Sequence, residues 1–176
     1  MSTVPKRTAA QPWRNRSYWA ALLLGIATMS AVDEIVFHQI LAWHHFYDRA
    51  TPDIALLSDG LLHAAELFAF VVGFFFMLDA RRRRSFRGAA AWAGFLVGLG
   101  LFQLWDGIVD HKLLRLHQIR YGVELLPYDI AWNVAGGLLL LAGIVDDRAG
   151  APRKSRGIRG ASRSGSADGI GSWPMN

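Results

Sequence analysis

Two stretches of the chain place aspartate and histidine at the same spacing. One reads DEIVFHQILAWHHFY from Asp33, and the other reads DGIVDHKLLRLHQIRY from Asp106, an offset of 73 residues. Imidazole and carboxylate together suit zinc, iron or copper, and neutral imidazoles on facing helices also suit haem. The repeated spacing therefore predicts a metal or haem site built from the aligned pairs Asp33 and Asp106, His38 and His111, and His44 and His117.

Four long apolar segments must position these residues. They cover about 18–43, 52–78, 89–116 and 127–145, and each is long enough to span a bilayer, which takes roughly 20 apolar residues. The chain has 176 residues, is 52% hydrophobic and carries a net charge of +5. Its basic residues collect in the tails and one loop rather than along a folded face, so we expect no nucleic-acid partner.

The expected organisation is one membrane domain between two tails. Residues 1–16 form a basic, disordered N-terminal tail, residues 17–146 form the transmembrane domain, and residues 147–176 form a basic Gly/Ser/Arg-rich disordered tail. The predicted fold is all-α, an integral membrane four-helix bundle built from two parallel-repeat helix hairpins. An approximate two-fold axis along the membrane normal would set His38 across from His111. We expect the four helices to close as an antiparallel bundle.

The distribution of basic residues predicts the orientation. Arg81–Arg84 lie between the second and third segments, and both tails are basic. By the positive-inside rule, this places both termini in the cytoplasm of an inner (plasma) membrane, and the histidine-bearing helix ends on the outer side.

The second segment adds further ionisable residues at about the same depth. Asp59 and His63 lie four residues apart and share a helix face, and Glu66 follows on it. Such groups in spanning helices are costly and usually mark function. One difficulty concerns Asp33 and His38, which are five residues apart and about 140° around an ideal α-helix. Either one of them points at a neighbouring helix or the helix is distorted there.

The motifs DEIVFHQILAWHH, SDGLLH and LWDGIVDHKLLRLHQIR resemble those of a bacterial family of four-helix membrane proteins, domain of unknown function 2243. The resemblance covers roughly residues 18–145 and implies the fold and a membrane location, with no assigned activity. Glu34 stands where the family pattern leads us to expect glycine, as Gly107 does in the second half. Members of that family often occur beside cytochrome oxidase assembly proteins, so the resemblance also implies copper or haem handling.

The sequence thus predicts a multi-pass inner-membrane protein that binds a metal ion (Cu, Zn or Fe) or haem at the outer side. Its expected partners are the lipid bilayer and a respiratory complex or its assembly factors, and the oligomeric state stays open. The alternatives are a metal-dependent membrane enzyme, a transporter of protons or small solutes, and a structural network of Asp–His pairs. The chain has no cysteine, which excludes thiolate ligands. The predicted metal ligands are His38, His63, His111, Asp33, Asp59, Asp106, His44 and His117.

Overall fold

The computed structural model describes residues 12–149, and the rest of the two predicted tails lies outside this range. After a short 3-10 turn, the described part is formed by four long helices joined by loops. Two of them change to π-helix at one end. The elements are α1 (Arg16–Val32) continuing into π1 (Asp33–Ile40), α2 (Pro52–Arg82), α3 (Gly88–Trp105) continuing into π2 (Asp106–Leu113), and α4 (Leu125–Ala149).

All four helices are long and apolar enough to cross a membrane. Large apolar side chains such as Phe68, Phe75 and Leu138 are exposed along α2 and α4, where they are suited to contact lipid rather than water. The fold is the predicted all-α four-helix bundle. The first and third helices end at Ile40 and Leu113, a few residues earlier than expected, and the second extends further, to Arg82.

Helix packing is concentrated in three pairs. The helices α1 and α3 form a central pair, α2 packs on α1, and α4 packs on α3. Among the described residues no other pair of long helices packs extensively. The helices are therefore arranged in the order α2–α1–α3–α4 rather than in the closed ring expected from the sequence.

Glycine allows the central pair to approach closely. A Cβ on Gly25 would lie 2.2 Å from the Phe95 carbonyl oxygen, and a Cβ on Gly98 would lie 2.2 Å from the Leu22 carbonyl oxygen. Such contacts leave room for no side chain, as is typical of membrane helix interfaces with small residues. Gly94 lies against Tyr18 and Gly98 against Leu22. The contact thus advances by four residues along both helices, so α1 and α3 run in the same direction. The Asp- and His-bearing ends of the two helices therefore lie at the same end of the bundle.

The loops that follow the two π-helices take similar paths. Each has, two residues after its π-helix ends, a non-glycine residue with positive φ, Ala42 at 48° and Arg115 at 53°, a conformation that few non-glycine residues adopt. The loops also contact each other, since the Asp48 amide donates to the Leu116 carbonyl oxygen at 3.1 Å. These turns redirect the chain back over the ends of α1 and α3, and this places the second histidine of each stretch.

Candidate metal centre

The π-helices resolve the difficulty with the five-residue spacing. A π-helix has i→i+5 hydrogen bonds, so residues five apart lie about one turn from each other. His38 Nε2 accordingly lies 3.5 Å from Asp33 Oδ2, and His111 Nε2 lies 3.2 Å from Asp106 Oδ2. Of the two possibilities left open by the sequence, the helix distortion is the one observed.

The loop histidines form the middle of the site. The rings of His44 and His117 are stacked, with centroids 4.5 Å apart and planes 6° from parallel. His44 Nδ1 lies 2.8 Å from the Ile119 carbonyl oxygen, and His117 Nδ1 lies 2.9 Å from the Phe46 carbonyl oxygen. A carbonyl only accepts, so each Nδ1 donates and each Nε2 keeps its lone pair.

The helix histidines flank this stacked pair. The ring centroid of His38 is 4.5 Å from that of His44, and the ring centroid of His111 is 4.6 Å from that of His117. The two longer distances, from His38 to His117 and from His44 to His111, are both 6.0 Å. His38 and His111 are thus separated by the stacked pair rather than placed directly across from each other. We call the residues Asp33, His38, His44, Asp106, His111 and His117 the central cluster.

The Nε2 atoms of the central cluster have no hydrogen-bond partner. In the described part of the chain all four of these nitrogens are buried and make no hydrogen bond, although those of His38, His111 and His117 lie 3.2–3.5 Å from a carboxylate oxygen of Asp33 or Asp106. None of the four histidines is more than 4% exposed. Buried polar atoms are usually satisfied, so four unsatisfied atoms in one cluster require an explanation. The ligand atoms of His38, His44 and His117 lie within 4.8 Å of one another, and so do those of Asp106, His111 and His117.

Burial also keeps His44 neutral. Desolvation by burial, together with the neighbouring His117 and His38, lowers the pKa of the His44 imidazole to about 2. A neutral imidazole is the form that binds metal ions. His44 therefore presents a lone pair at physiological pH.

Carboxylates around the cluster have little positive charge to balance them. Six are buried: Asp33, Glu34, Asp59, Glu66, Asp106 and Asp110. No lysine or arginine is buried anywhere in the described residues. Uncompensated buried charges cost several kcal/mol each, so such groups are paired, protonated or bound to metal.

The first half of the chain adds a polar layer outside His38. The His38 Nδ1–H donates to Asp59 Oδ1 at 3.2 Å, and Glu34 Oε2 lies 2.8 Å from the same nitrogen. Asp59 also accepts from His45 Nδ1 at 2.6 Å and from the Phe46 amide at 2.7 Å. Asp59 therefore contacts His38 at Nδ1, on the side of the ring away from the central cluster, and orients the ring, as carboxylates commonly do for metal-binding histidines.

His63, which the sequence places among the ligands, lies apart from the central cluster. Its side chain is 58% exposed and its Nδ1 lies 2.6 Å from Glu66 Oε1. Glu34 is not among the ligands predicted from the sequence, although its i,i+4 spacing to His38 is a signal for that contact. Asp110, also left out, is buried near Asp106.

The second half lacks this polar layer. A Cβ on Gly107, the counterpart of Glu34, would lie 2.7 Å from Asn133 Oδ1 and 2.8 Å from the Trp132 ring. Asp129, which an offset of 70 residues aligns with Asp59, forms an ion pair with Lys112 at 2.5 Å instead of contacting the cluster. Close packing thus occurs at Gly107, whereas the buried carboxylate of Glu34 occupies the corresponding position beside His38.

Comparison with known proteins gives a family and no nearer relative. The model of a family described as "Predicted membrane protein (DUF2243)" matches residues 20–149. No curated protein and no solved structure matches the chain.

Proposed function

This chain belongs to the DUF2243 family of predicted membrane proteins, and from the geometry of its central cluster we propose that it is a membrane protein that binds a divalent transition-metal ion. The candidate ligands form two groups that share His117, namely His38, His44 and His117, and Asp106, His111 and His117, and the carboxylate of Asp33 lies beside His38. Such a set of nitrogen and oxygen donors, without sulfur, suits zinc, iron or copper(II).

The observation that carries this proposal is the set of four buried, unpartnered Nε2 atoms. In His38, His44 and His117 the opposite nitrogen is held by a carboxylate or a carbonyl oxygen. This arrangement fixes the tautomer and directs the free lone pair inward, as is usual for histidines that bind metal.

The excess of buried negative charge supports a cation over a purely structural network. Asp–His pairs alone would balance the carboxylates only where the histidines are protonated, because no lysine or arginine is buried among residues 13–145. A divalent ion supplies that charge. Asp33 and Asp106, on opposite sides of the stacked rings, are placed to share it.

The packing favours an ion over haem. Neighbouring rings in the cluster have centroids 4.5–4.6 Å apart, and a porphyrin could enter only by separating them. We further propose that the site lies at the outer face of an inner membrane, because the Arg81–Arg84 loop occupies the opposite end of the bundle. A role as an accessory to respiratory oxidase assembly is consistent with an outward-facing copper or iron site.

Electron paramagnetic resonance with Cu²⁺ tests the proposal directly. The metal-free protein in lipid nanodiscs is loaded with one equivalent of Cu²⁺. We expect nitrogen superhyperfine splitting from several imidazoles, which is reduced in His44→Gln and unchanged in His63→Gln. A spectrum identical to that of Cu²⁺ in buffer with empty nanodiscs would contradict the proposal.

A further inference from the structure

A surface cavity of about 460 Å³ reaches the polar layer behind His38. Its lining includes Glu34, Asp59 and His63, with Gly60 at its wall. The central cluster itself is closed, since its four histidines are at most 4% exposed. An ion therefore needs a route to the cluster, and this cavity leads to residues that contact it.

Glu34, one of the residues that line the cavity, has a buried carboxylate oxygen that makes no hydrogen bond. The His38 Nδ1–H points at Asp59 Oδ1, so Glu34 Oε2 makes no hydrogen bond although it is only 2% exposed. The ligand atoms of Glu34, His38 and Asp59 lie within 4.8 Å of one another. These three residues can hold a cation on the cavity side of His38, outside the central cluster.

The second half of the bundle offers no corresponding site. Gly107 takes the position of Glu34 and is covered by Trp132 and Asn133, and Asp129 is paired with Lys112. Among the described residues, such a route is therefore found only on the side of the bundle where π1 faces α2.

We propose that Glu34, Asp59 and His38 Nδ1 form an outer cation site through which divalent metal ions reach the central cluster. This inference rests on the proposed function. His38 contacts both sites, with Nδ1 toward the outer carboxylates and Nε2 toward the central cluster. A neutral imidazole has one lone-pair nitrogen, so His38 serves one site at a time. It binds at Nδ1 when its proton is on Nε2, 3.5 Å from Asp33 Oδ2, and at Nε2 when its proton is on Nδ1, beside Asp59. Transfer is an exchange of ligands on the ion, accompanied by this shift of the imidazole proton and with no change of the ion's oxidation state.

Stopped-flow uptake of Co²⁺ by the metal-free protein in nanodiscs tests the route. Clefts lined by one sign of charge raise association rates by about 10- to 1000-fold, so we expect Glu34→Gln to slow uptake at least about tenfold. The final absorbance of bound Co²⁺ should match wild type, because the central cluster is intact. The matched control, Asp129→Asn, should load at the wild-type rate.

A second variant blocks the cavity without altering a ligand. Nothing lies within 4 Å of a Cβ built on Gly60 or on Gly137 of α4, so a side chain added at either position meets no obstacle at its Cβ. Gly60→Trp should slow uptake and Gly137→Trp should not. Wild-type rates in both Glu34→Gln and Gly60→Trp would overturn the outer site while leaving the central one. Absence of Co²⁺ uptake by the wild type would instead overturn the proposed function together with this route.

Discussion

His44 and His117 stack face to face, and each donates its Nδ1–H to a main-chain carbonyl in the other half of the chain, at Ile119 and Phe46. The two hydrogen bonds are related by the same 73-residue offset as the histidines. The loops thus hold each other in place across the end of the bundle. The bonds fix both tautomers and leave two Nε2 lone pairs beside those of His38 and His111.

Asp106 is the carboxylate most directly tied to the second half of the cluster. Its Oδ2 lies 3.2 Å from His111 Nε2, and its Oδ1 lies 3.5 Å from His117 Nε2. Asp106→Asn removes a ligand charge, and we expect the affinity for Zn²⁺ to fall by at least about 10- to 100-fold, the cost of losing even an outer-shell partner. Competition with a chromophoric chelator measures the change.

Asp79→Asn is the matched control for that measurement. Asp79 forms exposed ion pairs with Arg16 and Arg83 at the opposite end of the bundle. Its neutralisation should leave the affinity for Zn²⁺ unchanged. Equal losses in both variants would indicate a general effect of charge rather than ligation by Asp106.

The close contact of α1 and α3 should be sensitive to a single methyl group. Gly98→Ala would place a Cβ 2.2 Å from the Leu22 carbonyl oxygen, so the two helices must separate. Overpacking of this kind costs about 1–3 kcal/mol, and we expect a lower thermal unfolding temperature together with weaker metal binding. Gly137→Ala, where the space is open, should leave both unchanged. An unchanged unfolding temperature in Gly98→Ala would contradict the central packing.

Removal of the metal should destabilise the fold. An ion that binds only the folded state adds about 2.7 kcal/mol of stability at a free concentration of 100 times its Kd. Treatment with a chelator should therefore lower the unfolding temperature, and added Zn²⁺ should restore it. The same treatment of the variant His44→Ala/His117→Ala should produce no shift. A chelator effect of equal size in that variant would place the bound metal elsewhere.

The proposed orientation can be tested because the chain has no native cysteine. Single cysteines at Arg82, in the basic loop end of α2, and at Glu124, before α4, are both at exposed positions. A membrane-impermeant maleimide applied to intact spheroplasts should label Glu124→Cys and not Arg82→Cys. The reverse pattern would place the metal centre on the cytoplasmic side.

The number of helices and the identity of all six residues of the central cluster could be predicted from the sequence, because apolar length and ionisable groups within apolar segments are strong local signals. The π-helical ends could not. An ideal helix separates Asp33 from His38 by about 140°, and only the i→i+5 geometry brings them together. The sequence also does not indicate that His63 lies apart from the central cluster. The position of a residue along α2 gives its depth in the membrane, but not the neighbour that its side chain faces.

The order of the helices also depends on packing contacts that can be predicted from the sequence only in part. Glycines allow close contacts between membrane helices, but the partner of each glycine depends on where the backbones approach each other. Gly25 and Gly98 meet across the central pair, whereas Gly143 meets Val97 of α3. These contacts place α1 and α3 side by side and leave α2 and α4 on the outside. The four histidines then lie close together, because two are on the π-helical ends of this central pair and two are in the loops that follow them.

The most direct test of the central claim is the metal content of the protein purified in detergent without added chelator. Inductively coupled plasma mass spectrometry of the wild type should find at least about one equivalent of zinc, iron or copper per chain. The variant His44→Ala/His117→Ala should lose it, while His63→Ala, which alters an exposed histidine, should keep it. Equal metal content in wild type and in the His44→Ala/His117→Ala variant, or none in a wild type reloaded with each ion, would contradict the account.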